Sequence, residues 1–237
     1  MTKENKQWSA TAHRFVAFFD IMGFKEIVER NSHSTVVGKL QILKEALKDL
    51  EAKNHDTTFK EKYLTSETKS ITFSDSIIIF SKSDTVSDAC KIILDAGYLI
   101  KIAIENKIAI KGALSYGEIT VDFENSLFFG RPIIDSYLLH DQLQLYSAVF
   151  DNNFEYKMNS FKLPEPFQSL ITTYKANLKT GKITHQLVRM DTTSSVKEQI
   201  ISLKEMYGNV SGSPRIYIDN TIEFLNSLLP KTIENNY

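Results

Sequence analysis

The sequence predicts an α+β fold, in which helices cover a mostly antiparallel sheet. Three observations lead to this class. Residues 14–20 (RFVAFFD) form the kind of short apolar run that makes a buried strand. Two further apolar runs, at 68–73 and 77–81, flank Ser74-Asp75-Ser76, which is favourable turn chemistry and indicates a hairpin. Between the strands, longer segments carry apolar residues at helical spacing.

The segment between the first strand and the hairpin is predicted to contain two consecutive helices. Apolar residues recur at helical spacing from Gly23, stop at the polar residues 31–34, and resume over 36–50. The polar stretch at 53–62 is predicted to be a loop. After the hairpin, a helix is predicted over 86–105, because its apolar residues lie three or four positions apart.

Strands then return. Residues 108–116 and 118–123 are predicted as two strands joined at Gly117, followed by a short strand at 127–129. Pro132 opens a helix that runs to about Gln142, since proline is favoured in a first helical turn. Residues 145–150 are predicted as the last strand of this part. The resulting order of elements is that of a ferredoxin-like plan.

The remainder of the chain differs in composition and carries prolines near both of its ends. A hairpin is predicted around 179–182, with helices near 195–206 and 214–229. No flexible linker separates this part from the first. We therefore expect one domain over residues 14–150 and a C-terminal α/β extension, residues 151–237, packed on it.

Composition excludes several classes of protein. The chain has 237 residues, with 28 Lys and Arg against 29 Asp and Glu, so its charge indicates neither a nucleic acid nor an anionic membrane as a partner. The lone Cys90 excludes an internal disulfide and a cysteine-built zinc site. The polar N-terminus is unlike a signal peptide, and no apolar run approaches the ~18 residues that span a bilayer. We expect a cytoplasmic protein.

Two aspartates are the candidate functional residues. Asp20 ends the first strand and Asp75 lies in the hairpin turn, and the ferredoxin-like plan makes these two elements neighbours. Converging carboxylates repel each other, which raises a pKa or recruits a divalent metal. Two simpler interpretations remain: Asp20 as the N-cap of the following helix, and Asp75 as a solvated turn residue.

Four segments resemble motifs of the class III nucleotidyl cyclases, in the same order: FFDIMGF at 18–24, FSDSIII at 73–79, IKGALSYGEI at 110–119 and FFGRPIIDSYLL at 128–139. The resemblance covers residues 14–150, which it implies form a cyclase catalytic domain. It implies that Asp20 and Asp75 are catalytic and, with the carbonyl of Ile21, bind two divalent ions, Mg or Mn. It also implies that Gly23 and Phe24 bind the triphosphate.

The sequence departs from the family at the residues that read a purine base. Ile71 replaces the Lys or Glu found four positions before the hairpin aspartate, and residues 127–129 are apolar where a second polar reader is expected. The usual asparagine of the late helix corresponds to Ile134 or Asp135, and the usual arginine to Leu138 or Leu139. We expect Ile71 and Asp135 to line the base.

The transition-state arginine is therefore missing or has moved. Lys111 and Arg131 are the basic residues best placed by sequence to replace it, and we expect both to bind phosphate. The five histidines show no metal-ligand spacing and are assigned no role.

This combination is similar to the stand-alone bacterial cyclases that make cyclic UMP or cyclic CMP in anti-phage signalling. The resemblance implies a head-to-tail homodimer with composite sites, in which Lys111 is expected to serve the site of the opposite protomer. UTP is the favoured substrate and CTP the second. Two alternatives are an adenylyl cyclase and an inactive cyclase-like dimer that serves as a nucleotide-binding or scaffold module.

Overall fold

The computed structural model describes residues 8–52, 66–189, 193–208 and 210–230. These residues form an α+β fold with a mixed eight-stranded sheet, which confirms the predicted class. The loop expected at 53–62 lies outside the described residues. The elements are β1 (Thr11–Ile21), α1 (Phe24–Arg30), α2 (His33–Ala52), β2 (Thr68–Phe73), β3 (Ser76–Ser81), α3 (Val86–Glu105), β4 (Ile110–Asp122), β5 (Leu127–Gly130), α4 (Arg131–Gln142), β6 (Ala148–Phe150), α5 (Asn152–Asn159), α6 (Glu165–Gln168), β7 (Ile171–Leu178), β8 (Gly181–Val188), α7 (Thr193–Tyr207) and α8 (Ser213–Leu228).

The strand order is β2-β3-β1-β4-β6-β8-β7, with β5 paired to β4. As the ferredoxin-like plan predicted, β1 lies beside β3. It is antiparallel to both β3 and β4. In the second half of the sheet, β6 is parallel to β4 and pairs with β8, so the C-terminal hairpin continues the same sheet. The division of the chain between residues 150 and 151 stays a prediction.

Alternation along β1 separates two apolar layers, because successive strand residues point to opposite faces. Phe15, Phe19 and Ile21 are buried in the main core with residues of α2 and α3. On the other face, which we call the outer face, Val16 and neighbouring strand residues form a smaller cluster. Helix α4 packs on this outer face and thereby lies beside the end of β1. Within the described residues, no helix combines the length and the apolarity that crossing a membrane requires.

Two predicted strand boundaries are wrong. β4 runs without a break through Gly117, which pairs with Arg14 in the ladder and leaves room for the Pro132 ring. Glycine there serves close packing rather than a turn. β6 is only three residues long, because the backbone N–H of Tyr146 donates to the Thr221 hydroxyl instead of a neighbouring strand.

Candidate active site

Asp20 and Asp75 meet at one edge of the sheet. Asp20 is paired with Ser76, which follows Asp75 in the chain, and the backbone N–H of Ile21 donates to the Asp75 carbonyl at 3.0 Å. Burial raises the pKa of Asp20 to about 6, and the neighbouring carboxylates of Asp75 and Asp141 add to this shift. The convergence expected from the sequence is therefore present in the fold.

The turn after β1 is fixed by the backbone. The N–H of Met22 donates to the carbonyl of Ala109 at 2.8 Å, and Gly23 has a left-handed conformation with φ of 69° at the start of α1. Glycine adopts this conformation without steric cost. Gly23 offers no side-chain cap to the N–H groups of α1, and the nearest side-chain atom is Oε2 of Glu26, 3.7 Å from where a Cβ at residue 23 would lie.

Lys111 lies directly opposite Asp20 in the β1–β4 ladder and is only 2 % exposed. Its ammonium donates to the backbone carbonyls of Asp141 at 3.1 Å and Leu143 at 3.0 Å. Burial lowers its pKa to about 8. This placement differs from the expected service to the opposite protomer, because the side chain is committed to groups of its own chain.

His140 is a buried neighbour of Lys111 that the sequence did not reveal. The ring is 4 % exposed and packs on Phe18 of β1, with 4.7 Å between ring centroids. Burial, assisted by the charge of Lys111, lowers the pKa of His140 to about 4, so the imidazole is neutral at pH 7. No spacing signal could have identified it, since its surroundings come from three separate elements.

Arg131 and Asp135 lie at the other end of the site's sheet. Arg131 follows Gly130, which pairs with Ile119, and this pair is separated from Lys111 by roughly 26 Å of strand at about 3.3 Å per residue. The Arg131 guanidinium is exposed and forms an ion pair with Asp135 at 3.2 Å. The structure does not bring these two residues to the aspartates of their own chain.

Ile71 lies between these two ends, on the outer face. It pairs with Ile78 and is partly buried against the cluster that contains Val16 and Phe80. Phe128 stacks on Phe80 in the same cluster, with 5.9 Å between ring centroids. The residue that was expected to line the base therefore lies in an apolar surface.

The outer face also exposes apolar side chains on α4 and on the hairpin. Ile134 is 58 % exposed, Leu138 57 % and Phe73 83 %. Exposed apolar side chains that form a patch are typical of interaction sites. A cavity of about 740 Å³ lies elsewhere, at the Arg131 end, and is lined by Thr11, His13 and Tyr116, among others.

The donor set near Asp20 suits a hard divalent cation. In the described part of the chain, no group of three or more His, Cys, Asp or Glu side chains could hold a metal. Two carboxylates nevertheless fit an ion such as Mg²⁺, which keeps several waters and takes further oxygens from a bound phosphate. Burial is the main cause of the raised pKa of Asp20, and a bound cation would offset the cost of holding this carboxylate ionised.

Known proteins match this chain in structure but not in sequence. No model of a protein family matches the sequence, and no curated protein matches it. The catalytic core of a rhodopsin-guanylyl cyclase with converted specificity, in complex with ATPαS, has a TM-score of 0.54 at 13 % identity, covering 78 % of this chain and all of that one. A bacterial light-regulated adenylyl cyclase has a TM-score of 0.51 at 11 % identity, covering 84 % of this chain and all of that one. The chain therefore has the fold of a class III nucleotidyl cyclase catalytic domain.

Proposed function

We propose that the protein is a nucleotidyl cyclase, which converts a nucleoside triphosphate to a 3′,5′-cyclic nucleotide and pyrophosphate. The observation that carries this proposal is the convergence of Asp20 and Asp75 beside the turn at Gly23, within a cyclase fold. The ribose 3′-oxygen forms a bond to the α-phosphorus, the bond to the bridging oxygen of pyrophosphate breaks, and the 3′-hydroxyl proton is released. Such a reaction depends on alignment and charge neutralisation.

The residues at the β1 edge have distinct roles in this proposal. Asp20, Asp75 and the carbonyl of Ile21 would hold two divalent ions, Mg or Mn, which supply positive charge to the triphosphate. A pKa near 6 leaves Asp20 largely ionised at pH 7.5, so both carboxylates offer oxygen ligands. Because Gly23 has no side chain of its own, it would not obstruct a phosphate that approaches the backbone amides of Phe24 and its neighbours.

A head-to-tail homodimer would complete the site. Arg131 is exposed, is paired with Asp135, and lies at the opposite end of β4 from its own aspartates, so it would serve those of a partner. The exposed Ile134 and Leu138 on α4 and Phe73 on the hairpin provide the apolar surface that such a dimer would bury. Asp135, beside Arg131, would then line the base in the partner's site.

We propose pyrimidine triphosphates as substrates, with UTP favoured and CTP second, and a role in anti-phage signalling. Ile71 offers no hydrogen bond to a purine edge, and its apolar surroundings include the bulky Phe128. A crowded pocket rejects a larger ligand more strongly than a smaller one. An adenylyl cyclase is the alternative within the same chemistry.

A second candidate function is an inactive nucleotide-binding or scaffold dimer. The observation that favours it is α4 itself, which exposes Ile134 and Leu138 where the cyclase motif has asparagine and arginine. Incubating the purified protein with Mn²⁺ and each of the four nucleoside triphosphates separately distinguishes the two. A cyclic product supports the enzyme, and no turnover by folded protein supports the scaffold.

Substrate choice has its own test. With equal UTP and ATP in one reaction, we expect cyclic UMP to exceed cyclic AMP by at least about 10-fold, because overlap with apolar side chains excludes the purine. Mass spectrometry of the products gives the ratio. Predominant cyclic AMP would refute the pyrimidine assignment and favour an adenylyl cyclase, while leaving the metal site unaffected.

A further inference from the structure

The last two residues of α4 and the segment that joins it to β6, which together (residues 141–147) we call the α4–β6 connection, are fastened by the C-terminal hairpin. The backbone N–H of Lys179 donates to the carbonyl of Gln142 at 2.8 Å, and that of Gln144 donates to the carbonyl of Asn177 at 2.9 Å. The Lys179 ammonium also bonds the Asp141 carboxylate at 2.7 Å. This carboxylate has a lowered pKa, chiefly because of that bond.

Helix α8 fastens the same connection from the other side. The side-chain amide of Asn220 donates to the carbonyl of Gln144 at 2.7 Å. The hydroxyl of Thr221, which is fully buried, accepts from the N–H of Tyr146 at 2.8 Å. The rings of Tyr146 and Tyr217 are stacked, with 5.9 Å between centroids.

The connection in turn holds Lys111. Both hydrogen bonds of the ammonium described above go to its carbonyls, those of Asp141 and Leu143. The same ammonium lies 5.4 Å from the centre of the Tyr217 ring on α8. Lys111 is the ladder partner of Asp20, and its charge acts on the Asp20 carboxyl group, so the contacts of the C-terminal region reach the residue directly opposite the candidate metal ligand.

We propose that β7, β8 and α8 form a clamp on the α4–β6 connection, and that Lys111 is the positioning residue through which this clamp sets the geometry of Asp20. The inference rests on the proposed function of Asp20 as a metal ligand. It assigns a task to β7, β8 and α8, because the clamp holds the carbonyls that fix the Lys111 side chain. Loosening the clamp displaces those carbonyls and therefore the ammonium opposite the carboxylate.

The test is Thr221→Val, which keeps the side-chain volume but leaves the Tyr146 N–H without its acceptor. The substitution also removes the hydrogen bond that the Thr221 hydroxyl donates to the Tyr217 carbonyl within α8. We expect the half-saturating Mn²⁺ concentration to rise about 3- to 10-fold, the usual range for the loss of a buried hydrogen bond, with KM for the nucleotide unchanged. Asn220→Ala is the second variant, in case Thr221→Val does not fold. Lys182→Met is the matched control, because it removes an exposed ion pair between the same hairpin and α8, with Glu223, that does not touch the connection.

Transmission through Lys111 is tested by a double-mutant cycle. In a Lys111→Met background, Thr221→Val should leave the half-saturating Mn²⁺ concentration unchanged, and Lys111→Arg should restore most of the sensitivity. Independent, additive effects of the two substitutions would overturn the proposed transmission.

Mn²⁺ binding without nucleotide, followed by the electron paramagnetic resonance of the free ion, supplies a readout that does not need turnover. We expect binding that Asp20→Asn abolishes and Thr221→Val weakens. If no triphosphate is turned over but these binding changes occur, the proposed function fails and the clamp stands. If turnover occurs but Thr221→Val and Asn220→Ala, like the control Lys182→Met, leave the half-saturating Mn²⁺ concentration unchanged, the clamp is overturned. Binding that does not depend on Asp20 overturns it as well.

Discussion

At the level of single residues, Asp20 has an electrostatic cost that a binding role explains. Its carboxyl group is partly buried at the end of β1, and its pKa is raised to about 6 by burial and then by Asp75. The folded state therefore binds the Asp20 proton more tightly than the unfolded state does. As a result, the contribution of Asp20 to stability becomes unfavourable as the pH rises from about 4 to about 6, and the cost is fully present above that window.

This cost predicts that Asp20→Asn stabilises the protein without metal. At pH 7.5 we expect the free energy of unfolding to rise by on the order of 1 kcal/mol, allowing for solvent screening of a partly exposed group. The Tm should then rise by about 2–4 °C for a chain of this size. At pH 4 the advantage should vanish, because the wild-type carboxyl is protonated.

Thermal unfolding at the two pH values measures both effects, with the exposed Glu29→Gln as control. Addition of Mn²⁺ should raise the Tm of wild type and leave that of Asp20→Asn unchanged. An Asp20→Asn protein that is less stable than wild type at pH 7.5 would refute the electrostatic cost assigned to this residue.

At the level of elements, the two ends of α4 have different surroundings. Arg131 at its start lies far from the aspartates of its own chain, whereas His140 near its end packs on Phe18, two residues before Asp20 in β1. In a head-to-tail dimer each helix would then contribute to two sites. Its exposed Ile134 and Leu138 are the side chains through which two such helices would approach each other.

Composite sites predict complementation between two inactive variants. Asp75→Asn and Arg131→Ala should each be inactive in homodimers, and an equal mixture should recover about a quarter of wild-type activity, since half of the dimers are mixed and each has one intact site. Differently tagged chains verify subunit exchange. Exchange without recovery would exclude the head-to-tail arrangement. Lys111 is unsuitable for this test, because it lies beside the aspartate of its own chain.

Elements with a local sequence signal were predictable, whereas those set by their position in the fold were not. The β2–β3 hairpin has a local signal, Ser-Asp-Ser between apolar runs, and the register of Phe73 against Ser76 follows from it. Gly117 misled the prediction because a glycine that makes room for Pro132 looks in sequence like a turn glycine. Position in the fold, and not residue type, distinguishes the two.

At the level of the whole molecule, the sheet continues from the aspartate edge into the C-terminal hairpin. The pairing of β8 with β6 joins residues far apart in sequence and leaves no local pattern. The carbonyl partners of Lys111 are equally invisible in the sequence, since backbone acceptors do not depend on residue type. The pair of carboxylates was predictable from its motifs, but the groups that surround it were not.

The central claim is that Asp20 and Asp75 make this fold a cyclase, and turnover by wild type and Asp75→Asn tests it most directly. Each protein is incubated with Mn²⁺ and each of the four triphosphates, and 3′,5′-cyclic nucleotide and pyrophosphate are quantified. Wild type should form the two products in equal amounts from at least one triphosphate, and Asp75→Asn, with an unchanged fold, should be slower by about 10³-fold or more. No cyclic product from any triphosphate, or equal rates for the two proteins, would contradict the claim.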